Sequence, residues 1–146
     1  MRLLTLGLVL SLAGCASTAV RPGTGQLTLR LTWTGLADLD LYAESPGRER
    51  VDFLHREAES GGLLDVDCNV GEFSCDQPME NIYWPRGTAP PGRYKYWVVI
   101  ANPQGAKPSD SYRMRVLVRG EVVREHTGSL TDLHDQQPLT GWILID

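Results

Sequence analysis

The stretch Leu27-Thr28-Leu29-Arg30-Leu31-Thr32-Trp33 alternates apolar and polar residues at every step. Successive side chains of a strand point to opposite faces. The pattern therefore predicts a half-buried strand with Leu27, Leu29, Leu31 and Trp33 turned inward. The same period recurs on both sides of it. After Gly35, Leu39 and Leu41 alternate with Asp38 and Asp40. Residues 50–55, 63–67, 81–84, 94–101, 112–119, 121–126 and 139–145 supply further short runs. Turn formers separate them: Ser45-Pro46-Gly47, Gly61-Gly62, Pro90-Pro91-Gly92, Asn102-Pro103-Gln104-Gly105 and Arg119-Gly120. No window of ten residues has helical periodicity. Eight or nine short strands at this spacing predict an all-β fold, an antiparallel β-sandwich.

The chain has 146 residues, with 15 Gly and 9 Pro, which suits one turn-rich domain plus a targeting segment. Met1-Arg2 is a short positive start, and residues 3–12 are apolar except for Thr5, Gly7 and Ser11. That run falls short of the roughly 20 residues a spanning helix needs, so it reads as a signal peptide. Leu12-Ala13-Gly14-Cys15 then resembles the lipobox of bacterial lipoproteins, whose cysteine takes the lipid. The expected organisation is a signal peptide over residues 1–14, a lipidated N-terminus and flexible tether over 15–25, and the sandwich over 26–146. Ala16, rather than Asp, follows Cys15, which points to the outer membrane with the domain facing the periplasm.

The formal net charge is −4. Of the charged residues, only Arg2 leaves with residues 1–14, so the mature chain is slightly more acidic. That balance argues against nucleic acid, which needs a basic face. Besides Cys15 there are two cysteines, Cys68 and Cys75. In an oxidising compartment they are expected to form a disulfide worth about 2.5 kcal/mol for a loop this short. A zinc pair is the weaker alternative, since no histidine lies near.

The acidic residues cluster. Asp38 and Asp40 share one face of a strand at about 6.6 Å. Asp65-Val66-Asp67 repeats the spacing, Asn69 extends it, and Glu80 precedes the next strand. Like charges at that distance repel by roughly 2.5 kcal/mol at an effective dielectric near 20. Converging carboxylates would need a cation or raised pKa values, and hard oxygen donors favour Ca²⁺. Asp65, Asp67, Asn69, Asp38, Asp40 and Glu80 are thus the candidate metal ligands. The bland alternative is a solvated strand face with Asp residues capping turns. Residues 65–76 match the first three ligand positions of an EF-hand loop, but Val70 stands where its glycine belongs and Asp76 where its final Glu belongs.

Six motifs occur in order: Leu31-Thr32-Trp33, Ala37-Asp38-Leu39-Asp40-Leu41, Ser45-Pro46-Gly47, residues 61–67 from Gly61-Gly62 to Asp67, Glu80-Asn81-Ile82-Tyr83-Trp84, and Ala89-Pro90-Pro91-Gly92-Arg93-Tyr94. Over residues 27–119 the series resembles the YfaP-like bacterial exported domain, a family without an established activity. The resemblance implies a compact exported β-sandwich, with its acidic pairs on Asp38, Asp40, Asp65 and Asp67 and its Glu-Asn-Ile step on Glu80. Cys68 and Cys75 depart from the polar loop expected there.

The expected function is a non-catalytic, membrane-anchored envelope module that binds a protein or glycan partner, with a cation ordering its loops. Trp84 is either a contact platform or core, and core is the weightier reading. The alternatives are a small periplasmic hydrolase using Asp40 and Glu80 as paired carboxylates, and a purely structural envelope component. No Gly-x-Ser-x-Gly or His-Glu-x-x-His occurs, and His55, His126 and His134 lack ligand spacing.

Overall fold

The computed structural model describes residues 20–68, 75–103, 105–135 and 139–146, apart from the side chains of residues 134 and 135. Nine strands follow in order: β1 Leu27–Trp33, β2 Asp38–Glu44, β3 Arg50–Val51, β4 Leu63–Val66, β5 Met79–Trp84, β6 Gly92–Asn102, β7 Ser111–Val118, β8 Glu121–Ser129 and β9 Thr140–Ile145. They make two sheets, in the orders β4-β5-β1-β7-β8 and β3-β2-β6-β9, with every pairing antiparallel. This is the expected β-sandwich.

Alternation decides which side chains fill the space between the sheets. Leu27, Leu29 and Leu31 of β1, with Ile82 and Trp84 of β5, face Leu39 and Leu41 of β2 and Tyr94 and Tyr96 of β6, all at or near zero exposure. Trp84 is therefore core. Its ring meets Tyr94 edge-on at 5.0 Å, and its indole N–H donates to Ser60 Oγ at 3.4 Å. A Cβ on Gly62 would strike that indole, which gives the Gly61-Gly62 pair its packing role.

Local chemistry ends the strands. Arg119 and Gly120 both have positive φ, 54° and 92°, and Val118 pairs with Glu121 across them. This is the two-residue hairpin turn whose twist suits antiparallel strands. The strand expected over residues 50–55 stops at Val51. The Asp52 carboxylate accepts from the N–H groups of Leu54 and His55 at 2.9 and 2.8 Å, which turns the chain and leaves Phe53 exposed. One short helix, α1 Leu130–Asp135, follows β8. Ser129 Oγ caps it by accepting from Asp132 N at 3.1 Å.

The segment before β1 does not behave as free tether all the way to residue 25. Gly23 N donates to Asp65 at 2.5 Å, and Gly23 O accepts from Arg30 at 3.2 Å and Asn81 at 3.1 Å. Gly25 N donates to Thr28 Oγ1 at 3.1 Å. These bonds fold the segment back over the outer face of β1 and β5.

Candidate functional site

Strand β2 pairs with β3 only at Ala43 and Glu44. Beyond that, toward Asp38, its outer edge has no strand partner, and the N–H of Leu41 points out of it. Glu80 fills the gap from the other sheet. It stands on β5 opposite Leu31 of β1, facing inward, and its Oε2 accepts from Leu41 N at 2.5 Å. Strand β4 ends at Val66, which pairs with Asn81, so Asp67 leaves the sheet beside Glu80. Asp38 and Asp40 sit on β2 with the same parity, half-buried. The result is an acidic notch where the end of β4 meets the open edge of β2.

Electrostatics follow from that geometry. Glu80 is 1% exposed, and burial pushes its carboxyl up to about 10, against the pull of the Leu41 N–H, with Asp67, Asp40 and Asp38 adding to the rise. Burial, then Asp40 and Asp67, pushes Asp38 up to about 6. Asp40 is raised by burial and by Asp67 and Asp52, although the Tyr42 hydroxyl donates to its Oδ2 at 3.2 Å. Glu80 Oε1 and Asp38 Oδ1 are buried and have no hydrogen-bond partner among the described residues. Arg56 supplies local positive charge, donating to Asp67 Oδ2 at 2.8 Å.

Four of the six candidate ligands thus share one electrostatic group: Asp38, Asp40, Asp67 and Glu80. Asn69 lies outside the described residues. Asp65 is a correction. Asp65 lies exposed between the buried Leu64 and Val66, on the outer side of the sheet, where Gly23 N and Asn81 Nδ2 donate to it, and a register shift follows Leu64. Its partners are polar groups of that face, and it does not join the notch. Among the described residues, no three His, Cys, Asp or Glu side chains already converge on a single metal position. Cys68 and Cys75 are disulfide-bonded with Cα atoms 5.8 Å apart, so neither is a thiolate ligand.

No family model matches the chain, and no curated protein matches it either. The site therefore rests on its own chemistry. Two concavities flank Trp33 and Thr34. One is lined by Ser111, Tyr112 and Gly128, the other by Asp76, Pro78 and Met79, and neither is lined by Asp40 or Glu80. Among the described residues, no helix is long and apolar enough to cross a membrane. His55 Nδ1 lies 3.0 Å from Asp52, and His126 Nε2 lies 3.1 Å from Tyr96 Oη, so both bond to neighbours away from any shared ligand set.

A second feature escaped the sequence reading. On the outer face of the β3-β2-β6-β9 sheet, Tyr42 and Trp97 stack with ring centroids 5.1 Å apart and planes 4° from parallel. Trp142 of β9 lies on the same face, with the Arg93 guanidinium 4.0 Å from its ring centre. The signal was present in the parity of Arg93, Lys95 and Trp97 on β6. It acquires meaning only when β2 and β9 are known to flank β6.

Proposed function

We propose that the chain is a lipid-anchored protein of the bacterial envelope whose β-sandwich is a non-catalytic binding module ordered by Ca²⁺. One observation supports the cation above all. Among the described residues, Glu80 Oε1 and Asp38 Oδ1 are buried without partners in a notch shared with Asp40 and Asp67. Leaving such oxygens unpaired costs about 1–3 kcal/mol each, more when charged. A hard cation relieves both, and Ca²⁺ accepts irregular sets of about 6–8 oxygens, so water and main-chain carbonyls complete the shell. Asn69, next to the notch in sequence, is a further donor in this reading.

The position of Glu80 also favours binding over catalysis. A general acid must reach its substrate, whereas Glu80 is enclosed and tied to the main chain of Leu41. The lipobox-like Leu12-Ala13-Gly14-Cys15 supports anchoring, and Ala16 supports the outer membrane, facing the periplasm. The resemblance to YfaP-like exported domains agrees with that placement.

The test is thermal unfolding of the purified chain in EDTA and then in millimolar Ca²⁺. The melting temperature rises by a few degrees, as expected for millimolar-range extracellular sites, and Glu80→Gln or Asp38→Asn removes the rise. An unchanged melting temperature overturns the cation. For the anchor, Cys15→Ser moves the protein from the membrane to the soluble fraction, and persistence in the membrane overturns lipidation.

A further inference from the structure

The outer face of the β3-β2-β6-β9 sheet is dominated by aromatic rings with cations laid against them. Lys95 Nζ lies 5.0 Å from the ring centre of Trp97 and 5.7 Å from that of Trp142. Arg93 covers Trp142, and the Arg50 guanidinium lies 5.5 Å from the ring centre of Trp97. Register explains the order, since Tyr42 pairs with Trp97 across β2 and β6, and Lys95 with Trp142 across β6 and β9. Three strands at about 4.8 Å spacing make this a row about 10 Å wide. Trp142 is 41% exposed, and Leu144, paired with Arg93, is 65% exposed.

Solvated faces of antiparallel sheets are ordinarily polar, whereas this one presents three aromatic rings, with Trp142 and Leu144 well exposed. Arg93 and Lys95 are ordered by rings rather than by carboxylates. Among the described residues, neither Arg93 nor Lys95 forms an ion pair, although Glu44 stands opposite Lys95 in register, and Arg50 only approaches Asp52 at 3.7 Å. Rings that hold cations in place reduce the entropy lost when an anion binds. The face is mixed in charge, since Asp40, bonded to the Tyr42 hydroxyl, and Glu44, opposite both Arg50 and Lys95, also lie on it, so the positive end is the one where Arg93 and Lys95 meet Trp142.

We propose that this face binds an acidic polysaccharide, whose carboxylate or phosphate groups meet Arg50, Lys95 and Arg93 while its sugar rings pack against Trp97 and Trp142. The proposal deepens the reading of the domain as a binding module and does not depend on the cation. An anionic bilayer offers similar chemistry, but the chain runs toward its N-terminus from the opposite face, where Arg30, Asn81 and Asp65 hold Gly23.

The test is calorimetric titration of the full chain in mild detergent with polygalacturonate and with its methyl ester, which has the same sugar without the charge. Polygalacturonate binds, and the ester binds roughly tenfold more weakly or not at all. Arg93→Ala with Lys95→Ala, and separately Trp142→Ala, weaken binding by about tenfold with an unchanged circular dichroism spectrum. Arg115→Ala, on the opposite face, leaves it intact. Equal binding of acid and ester, no binding of either, or binding only to vesicles of anionic phospholipid overturns the proposal. Repeating the titration in EDTA separates the readings, because binding on this face is expected to survive calcium removal, whereas the cation stands or falls on the melting temperature alone. Release of new reducing ends would support the ligand class while removing the non-catalytic reading.

Discussion

The two outer faces of this sandwich use arginine in opposite ways. On β4-β5-β1-β7-β8, charges meet partners on the protein itself. Arg30 donates to Asn81 Oδ1 at 3.0 Å, Asn81 donates to Asp65 at 2.7 Å, and Arg115 and Arg113 approach Glu125 at 2.6 and 3.9 Å. On β3-β2-β6-β9, Arg93 and Lys95 lie against aromatic rings and form no ion pair among the described residues. A closed polar network holds the chain together and has nothing left to offer a ligand. Cations held by rings keep their full charge for a partner. The acidic notch lies between these cases, with its groups gathered but only partly satisfied.

The sharpest way to break this comparison is to attack the closed network. Asn81 is fully buried, and its amide joins Arg30, Gly23 and Asp65. Asn81→Ala should cost about 3 kcal/mol, because a buried amide is removed and half-buried Arg30 and Gly23 lose a partner at once. The urea midpoint reports the loss, and a change under about 1 kcal/mol would mean that the network is ornamental. The disulfide that follows β4 comes next. Cys68→Ser should cost about 2.5 kcal/mol by loop entropy, with reductant lowering the wild type to the same level.

The notch is probed through pH. Burial, aided by the neighbouring carboxylates, raises Glu80 from 4.5 to about 10, and burial with Asp40 raises Asp38 from 3.8 to about 6. Between the unfolded and folded values the folded chain holds a proton that the unfolded chain releases, so stability in EDTA falls as pH rises. The loss begins near pH 4, with Asp38 completing its share near 6 and Glu80 continuing toward 10. Glu80→Gln keeps an acceptor for Leu41 N and removes the group whose protonation differs between the folded and unfolded chains. It should flatten this profile and raise stability at neutral pH by about 1–2 kcal/mol. A melting profile of the variant as steep as that of the wild type would count against the buried charge.

Smaller effects are expected on the open aromatic face. Trp97→Ala loses one stacked pair and should cost about 1 kcal/mol, while its effect on polygalacturonate binding is larger. A change in stability as large as that of Asn81→Ala would make this face structural. Smallest of all, Arg115→Ala breaks an exposed ion pair to Glu125 and should leave the melting temperature unchanged at physiological salt.

Much of the fold was legible because strand parity is a local property. The alternation in β1, the turn at Arg119-Gly120 and the cysteine pair each act over a few residues, and each took the expected form. The same parity put Asp38 and Asp40 together and predicted Asp65 beside Asp67. The pair separates because Asp65, between buried Leu64 and Val66, faces outward to Gly23 and Asn81, while Asp67 lies past the end of β4 beside Glu80. Residues 50–55 likewise read as a strand, yet the Asp52 side chain competes for the main-chain N–H groups and ends it after Val51. Sequence by itself determined the strands, their inward faces and the disulfide, since those depend on side-chain period and on neighbours a few residues apart. Only the tertiary structure decided that Glu80 crosses from one sheet to the edge of the other, and that Tyr42, Trp97 and Trp142 form one surface. Both depend on which strands lie side by side, and that is set by packing between residues far apart in the chain.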